Sequence, residues 1–154
     1  MQDELFGNLE YDYLWQGKME LFIFNQNNTI TLSIECEDED EDITDVQRES
    51  MIKFEKNKEK ITKEIEKEIF NYYQSICSLK REKRVADIDK IAPIIQSVEE
   101  VGRLVKPVNF YIKNSDERTI AILFDCTWDF DLGVGVEIVN EEVIRVGVQN
   151  DVLL

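Results

Sequence analysis

The sequence feature that most limits the fold is the segment from Thr44 to Leu79, which contains neither glycine nor proline. Apolar residues recur in it at spacings of three, four or seven, which places them on one face of an α-helix. This stripe consists of Met51, Phe54, Ile61, Ile65, Ile69, Tyr72 and Ile76. We therefore expect a long amphipathic helix, or two helices in succession, whose apolar stripe packs against another element.

The start of this helix is marked by a capping box. Thr44 fits the N-cap position, and Gln47 stands three residues later, where its side chain can bond back to the N-cap backbone. The acidic residues that precede Thr44 are also favourable near the positive end of a helix dipole.

The residues before the helical segment indicate strands. Residues 29–34 alternate, with Ile30, Leu32 and Ile34 on one face and hydroxyl side chains on the other. We predict a hairpin in which residues 17–24 form the first strand and the polar run 25–28 forms the turn. An earlier strand near residues 5–14 is expected to join it through a turn at residues 15–17.

The C-terminal part indicates short helices and then strands. We expect helices near residues 85–92 and 97–105, the second opened by a capping-box pattern at Ser97, with Pro107 forcing the chain out of helix. Strands are predicted at residues 108–112, 118–126, 133–139 and 142–148. The order predicts an α+β fold over residues 1–154 as a single domain, in which an antiparallel sheet of N- and C-terminal strands packs against the long central helix and one or two shorter helices.

The absence of certain residue types and spacings excludes several kinds of catalytic and metal site. The chain has no histidine, which removes histidine-based triads and imidazole metal sites. Cys36, Cys77 and Cys126 are far apart and form no C-x-x-C pair, so neither a disulfide framework nor a zinc site is indicated. We expect no catalytic residues, no bound metal and no cofactor.

Charge restricts the partners. Eighteen basic residues stand against 33 acidic ones, for a net charge of −15, so binding to nucleic acid or to an anionic membrane surface is disfavoured. No apolar run is long enough to span a bilayer and the acidic N-terminus is unlike a signal peptide, so we expect a cytoplasmic protein. A basic protein is the partner that electrostatics favours. The acidity also has a simpler interpretation, as a means of keeping the protein soluble.

The densest charge lies between Glu35 and Asp42, where only Cys36 is not acidic. Repulsion should keep this segment extended or mobile. It is interpreted as a solvated loop, a docking surface or a weak divalent-cation site. The residues assigned to partner binding are Glu37, Asp38, Glu39, Asp40, Glu41 and Asp42, together with Trp128.

The segment from Asp125 to Gly135 is the other unusual stretch, because three aspartates precede two glycines. Its spacing does not match a calcium loop, so we interpret Asp129 and Asp131 as turn-forming residues that bond backbone amides. The alternative is a site for a small ligand, a divalent cation or a substrate. Trp128 is interpreted either as an anchor at the edge of the core or as part of a binding surface.

Residues 125–129, the Gly133-Val134-Gly135-Val136 run and residues 146–151 together resemble a family of uncharacterised bacterial proteins that carry a C-terminal domain of unknown function. The resemblance extends to Ile91-Ala92-Pro93 and covers most of the chain. It implies a bacterial origin and a cytoplasmic setting, and it transfers no activity and no functional residues. By analogy, small acidic bacterial domains without catalytic residues are similar to immunity proteins that neutralise toxins.

These observations favour a non-enzymatic acidic protein-binding domain, such as an immunity protein that blocks a basic toxin domain. The competing hypothesis is an enzyme or ligand-binding protein that uses the 125–135 turn. The protein is expected to be a monomer or a homodimer, the second through the apolar stripe of the central helix.

Overall fold

The computed structural model describes residues 1–83 and 85–154. The strands within these residues are β1 (Gln2–Asp3), β2 (Gly7–Asn8), β3 (Glu10–Tyr11), β4 (Trp15–Ile23), β5 (Gln26–Ile34), β6 (Val105–Ile112), β7 (Thr119–Cys126), β8 (Val134–Val139) and β9 (Glu142–Gly147). The helices are α1 (Asp45–Lys56), α2 (Lys58–Arg81), α3 (Ile88–Ile91), α4 (Val98–Val101) and α5 (Gln149–Leu153).

Strands β3 to β9 form one seven-stranded sheet in chain order, and β1 and β2 form a separate pair. All neighbouring strands are antiparallel except β5 and β6, which are parallel. The parallel pair joins the N-terminal strands to the C-terminal strands, because helices α1 to α4 return the chain to the end of the sheet where β5 began. The predicted α+β class and the sheet built from both ends of the chain are confirmed.

Helix α2 lies beside strands near both edges of the sheet. On one side Lys58 and Thr62 line a groove with Phe22 of β4, and on the other Lys60 and Ile61 line a groove with β9. Four strands separate β4 from β9, which is about 24 Å in a flat sheet and more than twice the width of a helix. The sheet therefore curves around α2, and the main core fills the space between them.

The central helical segment is divided at Asn57. Its backbone N–H donates to the carbonyls of Lys53 and Phe54, and its side-chain amide donates to the carbonyl of Lys53 at 2.8 Å. These bonds end α1, and α2 starts at the next residue. The structure thus has the two successive helices that the sequence left open.

The apolar stripe is confirmed for Met51, Phe54, Ile61, Ile65 and Ile69, all of which are buried. Farther along α2 the fully buried positions are Tyr73 and Cys77, whereas the predicted Tyr72 and Ile76 are only partly buried at the edge of the core. Successive steps of four residues turn about 40° past a full helical turn, so the stripe rotates along the helix.

The capping box at Thr44 is confirmed. The Gln47 backbone N–H donates to the Thr44 hydroxyl oxygen at 3.1 Å, and the Thr44 backbone N–H donates to the Gln47 side chain at 3.0 Å. The pattern at Ser97 behaves differently. Ser97 makes no side-chain cap, its hydroxyl bonds to the Glu100 carboxylate, and α4 ends at Val101 and not near residue 105.

The first long hairpin turns earlier than predicted. Strand β4 runs to Ile23, the turn consists of Phe24 and Asn25, and Gln26 already pairs with Ile23. Both turn residues have positive φ, 52° and 60°, as a two-residue type I′ turn requires. The predicted turn at residues 15–17 is also wrong, because Trp15 starts β4 and the turn lies at residues 12–14.

The four C-terminal strands follow the prediction within a few residues, and β6 starts earlier than expected, at Val105. The single strand predicted near residues 5–14 is wrong, because this segment forms the two-residue strands β2 and β3 in different sheets. Pro107 lies inside β6 next to a register shift, a position where its missing N–H is tolerated. On the opposite face of the sheet α5 covers β7, so that Val152 packs with Ala121 and Leu123 in a second apolar cluster. None of the helices described is long and apolar enough to cross a membrane.

Candidate functional site

The candidate site is the acidic loop, which we define as residues 37–42. All six of its side chains are exposed, whereas the flanking Cys36 and Ile43 are 8% and 6% exposed and belong to the main core. Two buried residues thus fix the ends of a loop whose carboxylates all lie in water.

Glu35 holds the base of the acidic loop. Its carboxylate accepts hydrogen bonds from the Tyr111 hydroxyl at 3.1 Å and from the Asn114 backbone N–H at 2.7 Å. Its carbonyl accepts from the Gln47 side chain at 2.6 Å, which ties the loop to the first turn of α1. Burial, reinforced by the charge of Glu35, raises the pKa of Tyr111 to about 12.

The acidic loop also has internal bonds. The Asp40 backbone N–H donates to the Asp38 carboxylate at 2.8 Å, and the Glu41 backbone N–H donates to the Asp38 carbonyl at 3.1 Å. The backbone is therefore turned and not extended, and the mobility of the segment stays a prediction.

None of the six carboxylates of the acidic loop forms a salt bridge with the described part of the chain. Acidic residues elsewhere do, including Asp3 with Arg48, Glu137 with Lys113 and Glu141 with Arg118. No salt bridge within the described residues neutralises the loop, although the Arg48 guanidinium lies close enough to Asp42 for the two charges to interact, and the negative potential extends into solvent over roughly a Debye length.

The turn between β3 and β4 lies beside the acidic loop. Burial raises the pKa of Tyr11, and the charges of Asp38, Glu39 and Glu41 contribute to the shift. Two residues later, Tyr13 is 88% exposed and has a φ of 64°. An exposed aromatic ring thus stands on the tight turn that follows Tyr11.

Sequence reasoning did not identify Tyr13. The available signal was an aromatic residue in a polar turn, Tyr11-Asp12-Tyr13, and it was obscured because the turn was assigned to residues 15–17.

Trp128 lies in the core and not on a binding surface. It is 5% exposed, and its ring packs on Tyr73 with the centroids 4.8 Å apart. The interpretation of Trp128 as an anchor of the core edge agrees with this position. It is far too buried to contact a partner, so we do not include it in the proposed interface.

The 125–135 turn is held by its own bonds. The Asp129 carboxylate accepts from the Leu132 backbone N–H at 3.1 Å and lies 3.4 Å from the Lys80 ammonium group. Asp125, Asp129 and Asp131 do not converge, and no metal-binding group of three or more ligands occurs in the described residues. Asp129 shapes the turn as predicted, whereas no such bond is seen for Asp131.

The three cysteines are buried and unpaired with one another. Burial raises the pKa of Cys126 to about 11 and raises that of Cys36 as well. Since the thiolate is the reactive form, Cys36 and Cys126 have little nucleophilic character at neutral pH.

No curated protein and no solved structure matches the chain. A family model does, over residues 5–153, which is nearly the whole sequence and includes the acidic loop and the 125–135 turn. The chain therefore belongs to the family described as Domain of unknown function (DUF6985).

Proposed function

We propose that this is a bacterial cytoplasmic, non-enzymatic binding protein whose acidic loop docks a basic protein partner, as an immunity protein docks a toxin domain. The observation that carries the proposal is the combination of six exposed carboxylates without a local ion pair and a loop that is fixed at both ends.

Fixed charge favours binding in two ways. Concentrated negative potential steers a basic partner and raises the association rate, an effect that salt weakens. A loop already held by Cys36, Glu35 and Ile43 loses little conformational entropy when the partner arrives. The acidic loop therefore supplies orientation as well as charge.

Tyr13 supplies the apolar part of the proposed interface. Exposed tyrosines on rigid backbone are frequent binding hot spots, because the ring buries a large area and has few rotatable bonds. Tyr13 lies on the turn between β3 and β4, two residues after Tyr11, whose pKa burial and the loop carboxylates raise, and its ring packs on no other ring among the described residues. We expect it to be desolvated on binding while the carboxylates pair at the rim.

The competing hypothesis of a site at the 125–135 turn has weaker support. Asp129 is already bonded to Leu132 and Lys80, Trp128 is buried, and the thiol of Cys126 lies in the core.

The test is a charge-neutralised loop measured against a matched control. The loop variant carries Glu39→Gln, Glu41→Gln and Asp42→Asn. The control removes the same number of negative charges at exposed sites elsewhere, with Glu64→Gln, Glu82→Gln and Asp87→Asn. The partner tested is a basic toxin domain, sought first among the proteins encoded beside the gene, and association and dissociation rates are measured over a range of salt concentrations.

We expect the loop variant to associate about tenfold more slowly at low salt and to show a flatter salt dependence, with a much smaller change in the control. Tyr13→Ala should mainly accelerate dissociation. Equal effects of the two charge variants would reject local docking and leave only the influence of net charge.

A further inference from the structure

The outer edge of β4 is an open sheet edge. Strand β3 pairs with β4 only at Trp15 and Gln16, and no strand of the described residues pairs with positions 18–23 on that side. The opposite edge of the sheet is β9, which is interrupted by a register shift. Long, regular edges are uncommon in monomers, because their free N–H and C=O groups pair readily with another strand.

The turn at Phe24 and Asn25 determines which backbone groups of β4 face outward. In a two-residue hairpin the flanking residues, Ile23 and Gln26, form a hydrogen-bonded pair, so the N–H and C=O of Ile23 point toward β5. Along β4 the backbone groups of successive residues then point alternately away from β5 and toward it. The N–H and C=O of Phe22 and Glu20 therefore point away from β5. The Phe24 N–H points the same way, and it donates to the Glu66 carboxylate at 2.8 Å, which closes the edge at that end.

A groove of about 210 Å³ runs beside this edge, between β4 and the junction of α1 and α2. Leu21 and Phe54, which are only 3% and 1% exposed, form its apolar floor, and its charged groups are those of Glu55, Glu59 and Lys58. A strand added to β4 would direct every second side chain toward this groove and the others to the opposite face.

The opposite face carries the side chains of Lys18, Glu20 and Phe22, and the last two residues also border the groove at the edge itself. Glu20 is exposed, and its carboxylate accepts from Thr29 at 2.6 Å and from Asn27 at 2.9 Å, which holds it in place. Phe22 is 60% exposed. In an antiparallel addition, basic residues opposite these two positions would form an ion pair with Glu20 and a cation–π contact with Phe22.

We infer that the β4 edge from Lys18 to Ile23 binds an extended segment of a partner protein by antiparallel strand addition, and that this segment alternates apolar and basic residues. The apolar residues enter the groove beside Leu21 and Phe54. The basic residues pair their backbone groups with Glu20 and Phe22 and place their side chains over the same two residues. This surface is separate from the acidic loop, and its use does not depend on the function proposed for that loop.

The probe is a labelled pentapeptide, Val-Lys-Val-Lys-Val, titrated into the wild-type protein and followed by fluorescence anisotropy and by amide hydrogen exchange. Binding should slow the exchange of the Glu20 and Phe22 amides. Because lysine residues of the peptide face β4 in the inferred register, N-methylation of the lysine amides should abolish binding. N-methylation of the amides of the third and fifth residues, both valine, should leave binding nearly unchanged.

The protein variants provide the second arm. Glu20→Pro removes an outward N–H and should weaken binding by about tenfold beyond Glu20→Ala, which keeps that N–H. The loop variant Glu39→Gln, Glu41→Gln and Asp42→Asn should still show protection of Glu20 and Phe22. If Glu20→Pro does not fold, binding of the N-methylated peptides to the wild-type protein tests the backbone pairing instead.

Three results would overturn the inference. The first is the absence of peptide binding or of protection at Glu20 and Phe22. The second is equal binding of both N-methylated peptides. The third is a wild-type dimer, detected by light scattering, that Glu20→Pro converts to a monomer, since the edge would then be occupied by a second copy of the chain.

Discussion

The ring of Trp128 packs against the ring of Tyr73, with centroids 4.8 Å apart and planes inclined by 59°. Tyr73 also donates its hydroxyl hydrogen bond to the Pro93 carbonyl at 2.5 Å. One side chain of α2 thus connects the 127–132 turn to the segment before α4.

Trp128→Ala should reduce the free energy of unfolding by roughly 3–5 kcal/mol, since it empties a large buried volume. Tyr73→Phe keeps the ring and removes the hydroxyl bond to the Pro93 carbonyl, which then keeps only the weak contact with the Cys77 thiol at 3.5 Å, and this should cost about 1 kcal/mol. Urea unfolding followed by circular dichroism measures both. A cost below about 1 kcal/mol for Trp128→Ala would contradict its position in the core.

Gly133→Ala should also destabilise the fold. Gly133 has a φ of 61°, and a Cβ there would lie 2.7 Å from the Phe124 carbonyl oxygen and would also meet the Gln149 side chain. We expect a loss of about 2–3 kcal/mol in the free energy of unfolding. Gly147→Ala is the matched control, because it has open space around the added carbon. Equal urea midpoints for the two variants would refute the steric argument.

Much of the fold follows from local patterns. The alternation of residues 29–34 predicted β5, and the Thr44 and Gln47 pair predicted the start of α1. The hairpin turn could not be predicted in this way, because it places an apolar residue at positive φ. Phe24 occupies that position because its ring lies against Gly102, where a Cβ would be 2.8 Å from the ring, and because Glu66 accepts its N–H. Both contacts are distant in sequence.

The candidate site divides in the same way. The acidic loop was predicted, because a run of like charges must lie in solvent whatever the fold. Its fixed shape was not, since Glu35 is held by Tyr111 and Asn114 from the far side of the chain. Tyr13 was missed because β3 has only two residues and carries no periodic pattern.

The ion pair between Asp3 and Arg48 should make stability depend on pH. Two hydrogen bonds of 2.8 and 3.1 Å from the guanidinium group lower the pKa of Asp3 from 3.8 to about 2. A carboxyl group whose pKa is lower in the folded state stabilises the fold at pH values above the pKa of the unfolded state. This stabilisation is lost as the pH falls from 3.8 to about 2. We expect a contribution of about 1–2 kcal/mol, less than the full shift implies, because Arg48 is partly exposed.

Asp3→Asn should therefore be less stable than the wild type at pH 7, and the difference should shrink steeply as the pH falls from 3.8 toward 2. Asp12→Asn, at an exposed site, is the control. Thermal unfolding across this pH range measures the difference, and a constant gap between Asp3→Asn and the wild type would contradict the linkage.

The cysteines should react only when the protein unfolds. At pH 8, a pKa of about 11 in place of 9 lowers the thiolate fraction of Cys126 by about a hundredfold, before steric protection is added. We expect Ellman's reagent to modify the native protein very slowly and to modify all three thiols in guanidinium chloride. Rapid native reaction of Cys126, measured on the Cys36→Ala and Cys77→Ala double variant, would reopen the question of a nucleophilic site.

The last prediction concerns the anchor of the acidic loop. Glu35→Ala removes the carboxylate that receives the Tyr111 hydroxyl and the Asn114 N–H, and it leaves the charges of residues 37–42 unchanged. Amide exchange in the loop should accelerate, and the free energy of unfolding should fall by about 1–3 kcal/mol. Association with a basic partner should keep its salt dependence, while dissociation becomes faster because the loop must now be ordered on binding. Glu117→Ala removes a nearby exposed charge without these bonds and is the control. If both variants bind equally well, the preorganisation assigned to Glu35 is wrong, whatever the loop charges themselves contribute.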